Sequence, residues 1–179
     1  MIEIALTGTE STGKTTYAGR LKEAGEQMGL KVIIAEEVAR KVLDGVSSMH
    51  EITFDQQYEI YAEEVRRRYV YRDTDADIVV FDRTLLDNIA YAMFYREHKF
   101  NSTWDDDDID FRISGMGMGL VLMMGYDKIY RFSRIFTGRG DVDMQRAIEV
   151  DKILRRTIYN AIPWSVDQPP EDMLREVLK

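Results

Sequence analysis

The 179-residue chain contains no cysteine, only two histidines and only three prolines. Without cysteine there can be no disulfide, no thiolate nucleophile and no thiolate metal site. His50 and His98 lie far apart and cannot make a zinc site without carboxylate help, so an essential metal is expected to be a hard cation on oxygen ligands, magnesium first. No apolar run approaches the roughly 18 residues of a membrane span. The first strand is expected to begin at Ile2, which leaves no room for a charged leader and apolar signal region. A cytosolic location and no membrane partner are therefore expected. The scarcity of proline and of biased tracts argues against extended disorder.

What is present fits a compact globule, with 45% hydrophobic and 31% charged residues. The length suits one domain, 1–179, with a sizeable core. The net charge of -8 repels a polyphosphate backbone at long range. It disfavours sequence-independent nucleic-acid binding, without excluding a local basic channel, and favours small ligands over polymers.

Short β-branched or aromatic runs at 2–6, 32–35, 78–81 and 129–132 read as strands buried on both faces, with a possible fifth at Trp164 to Val166. Between them the period becomes helical. Tyr17, Leu21, Ala24 and Met28 share a face, with Gly29 as a stop. Over 53–72, Phe54, Tyr58, Tyr61, Val65 and Tyr69 form a stripe behind a capping box of Thr53 and Gln56, and Arg66, Arg67 and Arg68 read as its solvated side. Thr84 and Asp87 open another helix carrying Leu86, Ile89, Ala90 and Met93. A long helix from about Met144 to Ile162 and a short one opened by Pro170 follow. The run Asp105 to Asp108 reads as a solvated helix N-terminus rather than a metal loop, and residues 116–125 as a buried helix end or packing surface.

Alternating strands and helices predict an α/β fold, a mainly parallel five-stranded sheet with helices on both faces. Ligands in such sheets sit beyond the carboxyl ends of the strands. The residues there are Thr7 onward, Glu36 and Glu37, Asp82 and Arg83, and Ser133 and Arg134.

GTESTGKT, Gly8 to Thr15, matches G-x-x-x-x-G-K-[ST]. Its glycines let backbone N–H groups close around phosphate oxygens, its lysine meets the terminal phosphates and its hydroxyl binds magnesium. Gly8, Thr9, Glu10, Ser11, Thr12, Gly13, Lys14, Thr15 and Thr16 are thus the expected nucleotide cradle, against the plainer reading of a glycine-rich turn. The strand before it and the helix after it supply the required context, and the helix dipole adds to the anion site.

The IVVFDR stretch, residues 78–83, ends a strand with Asp82, a magnesium-side carboxylate or a helix N-cap acid. Arg83 beside it can hold an acceptor's phosphate or a transferring group bidentately. Glu36 and Glu37 can accept a hydroxyl proton or orient an acceptor, or simply start a helix. Arg40 is balanced between a substrate and a surface role. Arg131, Arg134 and Arg139 in RFSRIFTGRGDVD suit a lid at 133–143 closing over a triphosphate, or an ordinary connector.

Three stretches, GTESTGKT, EEVAR and DRTLLDNIAY, resemble the AAA-type P-loop kinase group that includes the ribosylnicotinamide kinase domain of NadR-type proteins and, more distantly, nucleoside and nucleoside-monophosphate kinases. The likeness covers Ile2 to about Ile162. It implies a three-layer P-loop NTPase fold, ATP and magnesium at Lys14 and Thr15, Glu37 near an acceptor sugar, Asp82 as a catalytic or metal-side acid, and Gln57 facing the acceptor. Relatives carry DG-x-R near the lid, where this chain has TGRGD, residues 137–141. The expected activity is transfer of the γ-phosphoryl group of ATP to a nucleoside, a nucleoside monophosphate or nicotinamide riboside. A polynucleotide 5′-hydroxyl kinase and a regulatory NTP switch are the competing readings. Which of Glu36, Glu37 and Asp82 acts as base stays open.

Overall fold

The computed structural model describes residues 1–35, 37–123, 125–132, 144–158 and 160–179. In chain order the elements are β1 (Ile2–Thr7), α1 (Lys14–Gln27), β2 (Val32–Ala35), α2 (Ala39–Val42), α3 (Phe54–Arg72), β3 (Ile78–Asp82), α4 (Leu85–His98), α5 (Ile109–Met123), β4 (Lys128–Phe132), α6 (Met144–Thr157), β5 (Ile162–Trp164) and α7 (Pro170–Val177). All strands pair in parallel in the order β2-β3-β1-β4-β5. This is the expected five-stranded sheet with helices on both sides, the P-loop kinase fold.

Alternate side chains of the buried strands feed two cores. Ile4 and Leu6 of β1 and Ile78 and Val80 of β3 join Tyr17 and Leu21 of α1 and Met173 and Leu174 of α7. Ala5, Val79 and Phe81 face the other way, onto α3 to α6, where Trp104 is fully buried. The central strand therefore ends between the two layers, with Thr7 leading into the glycine loop.

Both capping boxes form. Thr53 accepts from the Gln56 amide at 3.2 Å and Thr84 from the Asp87 amide at 3.0 Å, satisfying orphan donors at the starts of α3 and α4. Pro170 opens α7 as expected. The acidic run stays exposed ahead of α5, with Asp106 accepting from the Asp108 amide, and among the described residues no His, Asp and Glu group could hold a metal ion.

Several expectations shift. The last strand spans Ile162–Trp164 rather than 164–166, because Ile162 pairs with Tyr130 and Trp164 with Phe132; α6 accordingly ends at Thr157. The buried face of α3 is Phe54, Gln57, Ile60, Tyr61, Glu64 and Arg68, while Tyr58 and Tyr69 are exposed, so the aromatic stripe was phased about one residue off. Arg68 is consequently not solvated. It is ion-paired with buried Glu3 of β1 and lies 4.1 Å from the Tyr126 ring centroid, its charge compensated inside the protein. Met28 and Met93 sit on outer faces, and within 116–125 Met116 is buried but Met118 exposed. The proposed lid, 133–143, and Glu36 lie outside the described residues. No helix among the described residues is long and apolar enough to cross a membrane.

Candidate active site

β1 delivers the chain into Gly8, whose φ of 140° and whose position beside the Phe132 carbonyl exclude a side chain: an added Cβ would stand 2.8 Å from that oxygen. Ser11 has φ 59° and Gly13 φ 82°, so the loop curls back on itself before α1 starts. Gly13 N-caps α1 without any side-chain cap bond. The first amides of α1 therefore have no intrahelical partner and make an anion site reinforced by the helix dipole.

Lys14 runs back under this loop. Its ammonium donates to the Gly8 carbonyl at 2.9 Å, the Thr9 carbonyl at 2.7 Å and the Thr12 hydroxyl at 3.1 Å. Burial, seconded by the nearby Arg83 charge, lowers its pKa to about 8. Thr15, one residue on, donates its hydroxyl to Asp82 Oδ2 at 2.5 Å at the tip of β3. The other Asp82 oxygen, Oδ1, is buried without a partner. A hydroxyl and a carboxylate with an open, buried oxygen are hard donors of the kind magnesium takes alongside phosphate oxygens, so these residues fit that ion.

Arg83 follows with a positive φ of 99°, unusual for a bulky residue and imposed by the turn from β3 into α4. It is ion-paired with Glu37, and its guanidinium lies 5.2 Å from the Tyr91 ring centroid. Burial alone would raise the Glu37 pKa, but the Arg83 charge and hydrogen bond outweigh it and hold the carboxyl below its usual range. Arg40 donates to Glu37 Oε2 at 3.1 Å and to the Thr15 hydroxyl at 2.8 Å. Loop, strand tip and α2 thus meet in one cleft of about 590 Å³ lined by Glu10 to Thr16, Glu37, Arg40, Asp82, Arg83 and Val166.

A second cavity, about 180 Å³, adjoins it. Leu43, Ile52, Ile60 and Tyr95 give it apolar walls, and Gln57 and Asn88 give it polar points. Gln57 is buried and donates to the Asn88 carbonyl at 3.1 Å. Glu10, Glu37 and Arg83 line both spaces.

The residues picked from sequence therefore converge, Glu10 to Thr16 with Glu37, Arg40, Asp82 and Arg83 lining the cleft, Gly8 and Thr9 holding Lys14 through their carbonyls, and Gln57 in the neighbouring cavity. Arg40 sits on the Thr15 side and does not line the smaller cavity. Arg134 and Arg139 lie outside the described residues. Arg131 belongs to β4 itself, opposite Thr7. Sequence reasoning saw Asp87 only as a cap, yet its Oδ1 also accepts from the Thr7 hydroxyl at 3.0 Å and the Gly8 amide at 3.4 Å, tying α4 to the glycine loop. Tyr91, Asn88 and Arg146 were missed; helical spacing from Asp87 and Arg83 would have brought Tyr91 to the same face.

A family model described as an AAA domain matches residues 3–165. Solved structures similar to this chain include a deoxyadenosine kinase from M. mycoides with dCMP and dCDP bound, 15% identical with a TM-score of 0.69 over 99% of both chains. The same kinase with bound dATP aligns over 99% of this chain and 97% of that one, at 13% identity and a TM-score of 0.62. A NadR protein in complex with NAD and AMP-PNP is 17% identical, with a TM-score of 0.73 over 98% of this chain and 49% of that one. The chain thus spans about half of that NadR structure. No curated protein sequence matches it.

Proposed function

The chain belongs to this AAA domain family, and on that premise we propose that it is a single-domain ATP-dependent kinase moving the γ-phosphoryl group of ATP to a nucleoside or nucleotide-like acceptor. The observation that carries the reading is the shared wall. A phosphate-type loop lines one space, an apolar cavity with amide side chains adjoins it, and Glu37 and Arg83 face both.

In this reading the loop amides and Lys14 hold the β- and γ-phosphates, and Thr15 and Asp82 would hold magnesium, which would supply charge neutralisation. The acceptor rests in the smaller cavity against Gln57 and Tyr95. Its hydroxyl oxygen bonds to the γ-phosphorus as the bond from that phosphorus to the β,γ-bridging oxygen breaks. The hydroxyl proton passes to Glu37, and ADP leaves with the bridging electron pair. Glu37 is the better candidate base than Asp82, since Asp82 lines only the donor cleft and is held by Thr15. Arg83 stabilises charge on the transferring group and orients Glu37.

The test is ADP release with magnesium-ATP across a panel of nucleosides, nucleoside monophosphates, nicotinamide riboside and 5′-hydroxyl oligonucleotides. Release stimulated by a nucleoside-type compound supports the proposal. Stimulation by oligonucleotides alone, or acceptor-independent hydrolysis alone, counts against it.

A further inference from the structure

Glu10 is the only acid among Gly8 to Thr15. A carboxylate in an anion cradle repels a triphosphate, so nucleotide binding gives no reason for it. Its side chain is engaged elsewhere. Oε2 accepts from the Tyr91 hydroxyl at 2.5 Å, and Oε1 accepts from Arg146 Nε at 2.9 Å and Nη2 at 2.7 Å. Burial pushes the Glu10 carboxyl upward, but Arg146 and the Tyr91 hydroxyl outweigh it and hold it below the usual range, ionised at neutral pH.

Both partners belong to the smaller cavity. Tyr91 comes from α4 and Arg146 from the first turn of α6; each lines the 180 Å³ space, and neither lines the donor cleft. Glu10 lines both. Its backbone thus serves the phosphate loop while its carboxylate clamps two walls of the neighbouring cavity, and Tyr91 in turn underlies the Arg83 guanidinium.

We infer that Glu10 is a positioning residue for the acceptor: by holding Tyr91 and Arg146 it fixes the acceptor cavity to the phosphate loop, at a cost to nucleotide affinity. The inference rests on the kinase reading above. It carries a reciprocal consequence, because a loop that sets cavity shape must couple the two ligands by the same factor in both directions.

The experiment uses the full chain as wild type, Glu10→Gln, Arg146→Gln, the double variant and Tyr91→Phe. Affinity for the non-hydrolysable analogue AMP-PNP is measured by calorimetry without acceptor. Acceptor KM and kcat are measured with whichever nucleoside, nucleoside monophosphate or nicotinamide riboside the wild type phosphorylates. Glu10→Gln is expected to raise acceptor KM roughly tenfold and to change kcat less than about threefold, through loss of the charge-assisted bonds. AMP-PNP affinity is unchanged or improved. The double variant is no worse than the worse single one, as residues acting through one contact require. Tyr91→Phe, which removes a hydroxyl and keeps the ring, shifts KM in the same direction and serves if Glu10→Gln does not fold. An unchanged acceptor KM, or a loss of AMP-PNP affinity matching the acceptor loss, overturns the inference and leaves the kinase reading standing. A wild type that phosphorylates no nucleoside, nucleoside monophosphate or nicotinamide riboside takes both down together.

Discussion

Seven of the residues around the larger cleft, Glu10 to Thr16, are consecutive in the chain, whereas the smaller cavity is assembled from α2, α3, α4, α6 and four loops. One is built by local backbone geometry: two glycines at positive φ, a helix start without a side-chain cap, and a lysine folded under its own loop. The other exists only once several helices have packed. The contrast teaches that, under the proposed kinase reading, phosphate binding is written in a short string, while acceptor choice is spread over side chains that meet through tertiary structure.

The sharpest way to break the comparison is at Lys14. Lys14→Ala should reduce turnover by roughly three orders of magnitude or more, since the lysine stabilises charge in transfer and not the core. Circular dichroism and thermal melting should show the fold retained; a variant with wild-type turnover would separate the loop from catalysis. Next in size, Arg83→Ala should lower acceptor kcat/KM by about 10- to 100-fold, as loss of a charged contact in the transition state does. Nucleotide affinity measured alongside should change far less, and the opposite pattern would move Arg83 to the donor side.

A smaller effect concerns protons. Lys14 has a pKa lowered to about 8, and a bound triphosphate favours its charged form. Nucleotide binding at pH 8 should therefore take up close to half a proton, by titration of a group with that pKa. Calorimetry in buffers of different ionisation enthalpy measures this, and Lys14→Met should abolish the uptake.

The smallest expected effect concerns Glu64 on α3, the helix that also lines the smaller cavity. Glu64 is buried on α3, accepts from the Val38 amide at 3.3 Å, and has its pKa raised to about 7, chiefly by burial. Its native state binds the proton more tightly than the unfolded chain, so its contribution to stability falls as pH rises from the unfolded value near 4.5 through 7. Glu64→Gln should remove that loss, by about 2–3 kcal/mol at most between pH 5 and pH 8. Denaturant melts of both proteins at the two pH values check it; parallel pH dependence would mean Glu64 does not carry the burial cost.

The same division explains what could be read in advance. Strands β1 to β4, the capping boxes at Thr53 and Thr84 and the loop Gly8 to Thr15 depend on neighbours within a few residues, and all were visible in the sequence. The face of α3 was not, because its aromatic stripe at Phe54, Tyr58 and Tyr61 competes with a polar one at Gln57, Glu64 and Arg68 that is buried only through distant partners. Arg68 looks like one of three solvated arginines until Glu3, 65 positions away, is brought against it. Likewise Asp87 serves two elements with two oxygens, and only its local cap was legible. Ile162 looks like the tail of a helix, and the last strand looks as if it begins at Trp164, until β4 pairs with Ile162–Trp164.

In the proposed kinase, one phosphate loop and one adjoining cavity carry a single transfer. The most direct measurement incubates the protein with magnesium and γ-labelled ATP and the nucleoside panel, and follows the label. Such a transfer puts the label in a phosphorylated nucleoside-type acceptor, in amounts equal to the ADP formed, and Lys14→Ala loses it. Label found only in inorganic phosphate, with every acceptor untouched, would contradict it.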